Sequence, residues 1–95
     1  MLTITETEKL RELLIRQRAS GSTIGLIPTM GHLHAGHLKL VSAAVKQCDF
    51  AVSTIFVNPL QFGSDEDLET YPRSLSTDQE KLRTVGCNLL FAPTV

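Results

Sequence analysis

The run Ile24-Gly25-Leu26-Ile27-Pro28, then Thr29-Met30-Gly31-His32-Leu33-His34-Ala35, then Gly36-His37-Leu38-Lys39-Leu40-Val41, decides the fold. It opens as a compact apolar segment of strand length, Thr23 to Pro28. It passes through a loop of small residues and histidine. It closes on a helix from about Gly36 to Cys48, whose apolar stripe is Leu38, Val41, Ala44, Val45 and Cys48. The strand segment does not alternate polar with apolar positions, which predicts a strand buried on both faces.

Strands and helices alternate on either side of this unit. Upstream, Leu2-Thr3-Ile4 reads as a short strand. Thr5 with Glu8 has the spacing of a capping box. The helix that follows carries Leu10, Leu13, Leu14 and Gln17 on one face, turns Arg11, Glu12, Arg16 and Arg18 to water, and ends at Gly21. Downstream, Phe50 to Val57 is a clear strand, stopped by Asn58-Pro59. Gln61 to Arg73 reads as a long polar loop with Gly63 and the acidic residues Asp65, Glu66, Asp67 and Glu69. A third helix is expected from Ser74 or Ser76, with Ser76 and Gln79 as a second capping box, to Gly86. Leu89-Leu90-Phe91 forms a last strand. The order β-α-β-α-β-α-β predicts an α/β protein with a Rossmann-like parallel sheet and flanking helices. Ligands of such sheets sit beyond the carboxyl ends of the strands. The loops Thr29 to Ala35 and Asn58 to Arg73 both fall there, on one edge.

With 95 residues the chain suits one small domain, residues 1–95. Hydrophobic residues at 42% and charged residues at 20% place it among globular chains. The net charge of −1 gives no general attraction to nucleic acid or to an anionic membrane, so any phosphate site must be built locally. No apolar run has the length of a membrane span, and Met1 to Lys9 lacks the layout of a signal peptide. A cytoplasmic location is therefore expected. Cys48 and Cys87 match no metal-ligand spacing and read as buried, reduced thiols. The chain stops at Phe91-Ala92-Pro93-Thr94-Val95, straight after a strand, and the expectation is a piece cut from a longer protein.

The loop carries the chemistry. Gly31 and Gly36 let backbone approach a bulky ligand. The amides of Gly36, His37 and Leu38 open a helix, where anions are favoured. His34 and His37, three residues apart, share one face of the first turn, and both rings can donate to phosphate oxygens. A surface pair and half of a metal site are the competing readings; the metal reading lacks a third ligand nearby, and no metal ligands are assigned. His32 lies outside the pair and reads as a solvated loop histidine. The His-x-Gly-His pattern resembles the signature of nucleotidyltransferases, in which donors stabilise charge developing on phosphoryl oxygens.

The longer string, Pro28-Thr29-Met30-Gly31, Leu33-His34 and Gly36-His37, resembles the motif of the pantoate–β-alanine ligases (pantothenate synthetases). Phe56-Val57-Asn58-Pro59, Gln61-Phe62, Glu66-Asp67 and Tyr71-Pro72-Arg73 are similar to that family's second block. The resemblance covers the whole chain. It implies a nucleotidyltransferase-type fold of the His-x-Gly-His superfamily and an AMP-forming ligase. Pantoate and MgATP would give pantoyl adenylate and pyrophosphate; the amine of β-alanine would then displace AMP. It implies ATP contacts from Pro28, Thr29, Met30, Gly31, His32, Leu33, His34, Ala35, Gly36 and His37, with His37 and His34 catalytic. Gln61 would bind pantoate and β-alanine, Asn58 would shape that pocket, and Met30 would wall it. It further implies a homodimer at full length, and later segments with more ATP ligands, a second pantoate-binding glutamine and a smaller closing domain. The 95 residues alone are therefore expected to be inactive. Two rivals stand beside this reading: a His-x-Gly-His transferase making a dinucleotide or CDP-alcohol, and a non-catalytic module that binds nucleotide at most.

Overall fold

A computed structural model describes residues 1–56 and 65–93, with the side chains of its last helix described from residue 75 onward. The elements run β1 (Leu2–Ile4), α1 (Thr7–Ala19), β2 (Ile24–Thr29), α2 (Ala35–Gln47), β3 (Phe50–Ile55), α3 (Asp65–Thr84) and β4 (Leu89–Phe91). The four strands form one parallel sheet in the order β1-β4-β3-β2. The α/β class and the parallel sheet follow the sequence expectation.

The strand pleat sorts side chains to two faces. On one face Ile4, Val52 and Leu89 pack against Leu10, Leu13 and Leu14 of α1. On the other, Ile27, Ile55 and Leu90 pack with Val41 of α2 and Leu82 of α3. Adjacent β4 residues therefore serve opposite cores, which is why Leu89 and Leu90 are both fully buried. At the amino ends of β2 and β3, the Asp49 carboxylate accepts from the Thr23 amide at 2.9 Å, and the Asp49 amide donates to the Thr23 hydroxyl at 2.9 Å. That reciprocal pair holds the register in which Ile24 faces Phe50 and Thr29 faces Ile55.

Four local expectations are corrected. First, β2 is an edge strand and is buried on one face only: Ile27 and Thr29 face the core, whereas Leu26 is 62% exposed. Its apolar run was read as doubly buried because the sequence does not show that α1 crosses to cover β1, β4 and β3 instead. Second, α1 is capped one residue later than Thr5, at Glu6, whose side chain makes no cap bond; the Thr5–Glu8 box does not form. Third, the helix expected from Ser74 or Ser76 begins at Asp65, so much of the expected Gln61–Arg73 loop is helical and Ser76 lies inside α3. The helix of 20 residues includes Pro72, although proline forgoes one intrahelical bond. Fourth, Cys87 is buried as expected, but Cys48 is only half-buried.

The exit from α1 is as expected. Ser20 caps the helix, Gly21 follows at φ +87°, and two bonds close the turn: the Gly21 amide to the Arg18 carbonyl and the Ser22 amide to the Gln17 carbonyl. A Cβ on Gly21 would meet nothing within 4 Å, so a substitution there is opposed by backbone conformation alone. Gly21→Ala is expected to lower unfolding stability by about 1 kcal/mol in a urea titration. An unchanged midpoint would show that this turn relaxes without loss.

Candidate nucleotide site

The site begins where β2 ends. Thr29 is buried; its hydroxyl donates to the Thr54 carbonyl at 2.9 Å and accepts from the Gly31 amide at 3.3 Å. The Phe56 amide donates to the Thr29 carbonyl, so the carboxyl ends of β2 and β3 stay together as the chain leaves the sheet. Gly31 (φ +93°) and His32 (φ +52°) then take two left-handed conformations in succession. A Cβ on Gly31 would come to 3.4 Å from Ile55 and 3.5 Å from the Asp78 carboxylate, so the position is both left-handed and tightly flanked.

This double turn drops Leu33 into the core, 2% exposed, and lifts His34 to the surface as the N-cap of α2. Leu33 was expected among the ATP contacts. Its side chain packs with Val41, Ile55 and Leu82, and its amide and carbonyl are held by Asp78 and Lys81, so its part in the motif is that of an anchor.

His34 and His37 form a capping box made of imidazoles. His34 Nδ1 accepts from the Gly36 amide at 3.0 Å, and His37 Nδ1 accepts from the His34 amide at 3.2 Å. The ring centroids are 4.0 Å apart with 33° between planes. The pairing expected from the i, i+3 spacing is therefore present. An imidazole that accepts at Nδ1 carries its proton at Nε2, and an imidazolium has no acceptor. The box thus uses Nδ1 of each ring as an acceptor and leaves Nε2 as the donor position. His34 is exposed and His37 half-buried, so both donors can meet a ligand.

The expectation of bare amides at this terminus is corrected. The Gly36 amide is occupied by His34, and the Leu38 amide makes the first helical bond to the His34 carbonyl. The His37 amide, at the third helical position, is turned to the His34 side chain as part of the capping box. The positive end of the helix dipole still favours an anion here, but the specific donors are the two rings first and the amides second.

Of the other expected site residues, Met30, 52% exposed, and Pro28 flank the loop at the surface. His32 is exposed, as a loop histidine was expected to be, and its amide donates to Asp78 at 2.9 Å. Asn58 and Gln61 lie outside the described residues, as do the side chains of Tyr71 and Arg73. Asp78 and Lys81 of α3, which grip the loop from beneath, were not anticipated.

A parallel sheet with paired histidines at the mouth of a helix, just beyond a strand's carboxyl end, defines a nucleotidyltransferase-type α/β fold. Comparison with known proteins narrows the class. The family model described as "Pantoate-beta-alanine ligase" matches residues 2–95. A protein named pantothenate synthetase from Pseudomonas fluorescens is 57% identical over 95 residues, covering 100% of this chain and 34% of the relative. One from Azotobacter vinelandii is 57% identical over 93 residues, covering 98% and 33%. The crystal structure of pantothenate synthetase from Thermus thermophilus superposes with a TM-score of 0.78 at 46% identity, covering 99% of this chain and 32% of that one. A pantoate–β-alanine ligase from Francisella tularensis, solved in complex with β,γ-ATP and β-alanine, gives 0.78 at 33% identity, covering 98% and 35%. The chain belongs to the pantoate–β-alanine ligase family and spans about a third of the length of these relatives.

Proposed function

We propose that these 95 residues form the nucleotide- and pantoate-binding part of a cytoplasmic, homodimeric ligase that joins pantoate to β-alanine. The observation that carries this reading is the imidazole capping box at the carboxyl end of β2 and the start of a helix, which uses Nδ1 of each ring and leaves Nε2–H out of the box.

In the first step a carboxylate oxygen of pantoate attacks the α-phosphorus of ATP. The bond from that phosphorus to the bridging oxygen breaks, and pyrophosphate leaves. Charge grows on the phosphoryl and leaving oxygens, where pre-placed N–H donors act most strongly. His37 and His34 supply them. Each ring is already locked by its Nδ1 contact, so little reorganisation is needed as the charge develops. The segment Pro28 to His37 flanks the nucleotide, with Leu33 anchoring it from the core; Met30 offers an apolar wall to the pantoate methyls, Gln61 hydrogen-bonds pantoate, and Asn58 shapes that pocket. In the second step the amine of β-alanine attacks the acyl carbon, the bond to the AMP oxygen breaks, and the amine loses a proton. Magnesium enters as part of the substrate MgATP, held largely by phosphate oxygens.

The test is pantoate-dependent exchange of labelled pyrophosphate into ATP by a chain of the relatives' length that includes these residues. Exchange that needs pantoate is expected. Exchange supported instead by a nucleotide or an alcohol phosphate would favour a different His-x-Gly-His transferase. The 95 residues alone are expected to sustain no turnover; complete conversion by them would refute the assignment of the remaining ligands to later segments.

A further inference from the structure

Asp78 is a carboxylate placed where α3 packs on the core. It is 1% exposed, between the buried Leu82 and the half-buried Leu75 along the helix. Such a group is costly to desolvate unless its oxygens are fully used. Each oxygen accepts a backbone amide of the loop: His32 N–H reaches Oδ2 and Leu33 N–H reaches Oδ1, both at 2.9 Å. One turn on, Lys81 Nζ donates to the Leu33 carbonyl at 2.8 Å. Two side chains of one helix therefore hold both polar groups of Leu33 and the amide before it. The residues so held follow the left-handed pair Gly31 and His32, a conformation a residue with a Cβ rarely keeps without support. The residue directly after them is His34, the N-cap of α2 and half of the imidazole box.

We propose that Asp78, assisted by Lys81, is the positioning residue of the histidine pair: it fixes the direction in which the chain enters α2, and so the placement of both rings against the phosphates. This rests on the loop being the nucleotide site. Neither side chain needs to touch the nucleotide for the effect. The buried carboxylate acts as an internal anion for two consecutive amides, so those amides hold the loop in place instead of facing the ligand.

The test uses 15N-labelled protein without nucleotide, then with ATP. Asp78→Asn keeps the shape but can accept only one of the two amides, because its NH2 group has no lone pair to offer. Lys81→Met keeps the stem of an exposed side chain and removes the donor, so it preserves the fold. Through-hydrogen-bond 15N–15N couplings, from the Gly36 amide to His34 Nδ1 and from the His34 amide to His37 Nδ1, report the box directly. In Asp78→Asn both couplings are expected to vanish. Exchange at the His32 or Leu33 amide should accelerate by about tenfold to a hundredfold, the scale of one charge-assisted bond, while the sheet amides keep their dispersion. ATP affinity should fall by about tenfold. Lys81→Met should weaken the same couplings with a smaller gain in exchange. A folded Asp78→Asn with both couplings and both amides unchanged overturns the proposal. So does an unchanged Lys81→Met, should the asparagine variant fail to fold. Loss of the couplings in a protein whose parent never binds ATP would uphold the positioning role and sink the nucleotide reading instead.

Discussion

Replacing His37 with alanine is expected to lower pantoate-dependent ATP–pyrophosphate exchange by roughly 10²–10³-fold, the usual cost of one donor aimed at developing oxyanion charge. The measurement is made in a chain of the relatives' length. His37 performs two tasks through two different nitrogens, and substitutions can separate them. Its Nδ1 accepts from the His34 amide and closes the capping box; its Nε2–H takes no part in the box. Alanine removes both. Asparagine places its amide near the Nδ1 position, so the box can close while the Nε2–H donor is lost. Glutamine reaches to the Nε2 position and can return a donor there. The expected order of exchange rates is parent, glutamine, then asparagine and alanine together. The expected order of stability differs, with asparagine close to the parent and alanine lower by about 1 kcal/mol, the typical value of an N-terminal cap. Exchange by the alanine variant within about threefold of the parent would remove His37 from the chemistry. Asparagine that exchanged as well as the parent would reduce the ring to a cap.

Much of this arrangement was legible in the sequence, for identifiable reasons. Leu89-Leu90-Phe91 and Phe50 to Ile55 are apolar runs of strand length, and a parallel sheet needs runs of that kind. Gly21 marked a helix end because its φ of +87° suits a residue without a Cβ. The i, i+3 spacing of His34 and His37 foretold their shared face, since helix geometry fixes it. What stayed hidden depends on contacts remote in sequence. Leu26 looked as buried as Ile27, and only the strand order puts its face at an uncovered edge. The capture of the Gly36 amide by His34 was missed because histidine is not among the usual caps. Asp78 left a faint trace: with α3 extended, Leu75, Asp78, Leu82 and Val85 fall at core spacing, and a carboxylate in such a stripe needs partners. Starting the helix at Ser76 obscured that register.

Gly36→Ala gives a sharper separation of ring placement from fold. Gly36 lies in the first turn of α2, where alanine is favoured over glycine by roughly 0.8–1.0 kcal/mol. Its added Cβ, however, would stand 2.8 Å from Cε1 and 3.1 Å from Nδ1 of His34, closer than real contacts allow. Those atoms belong to a ring that can swing away, so the clash is relieved cheaply, by ejecting His34 from the cap. The lost cap costs about 1 kcal/mol and the gained propensity returns a similar amount. Thermal stability should therefore hardly change. Function should not be spared: the His34 donor leaves its place, the Gly36 amide loses its acceptor, and the ring pair at 4.0 Å comes apart. Pantoate-dependent exchange is expected to fall by about 10²-fold, with an unfolding midpoint within a few degrees of the parent. If exchange persisted at the parent rate, the placement of His34 seen here would be irrelevant to the reaction, and phosphate recognition would rest on His37 and the remaining amides alone. A collapse of stability together with activity would instead mean that the ring has nowhere to go, which its exposure argues against.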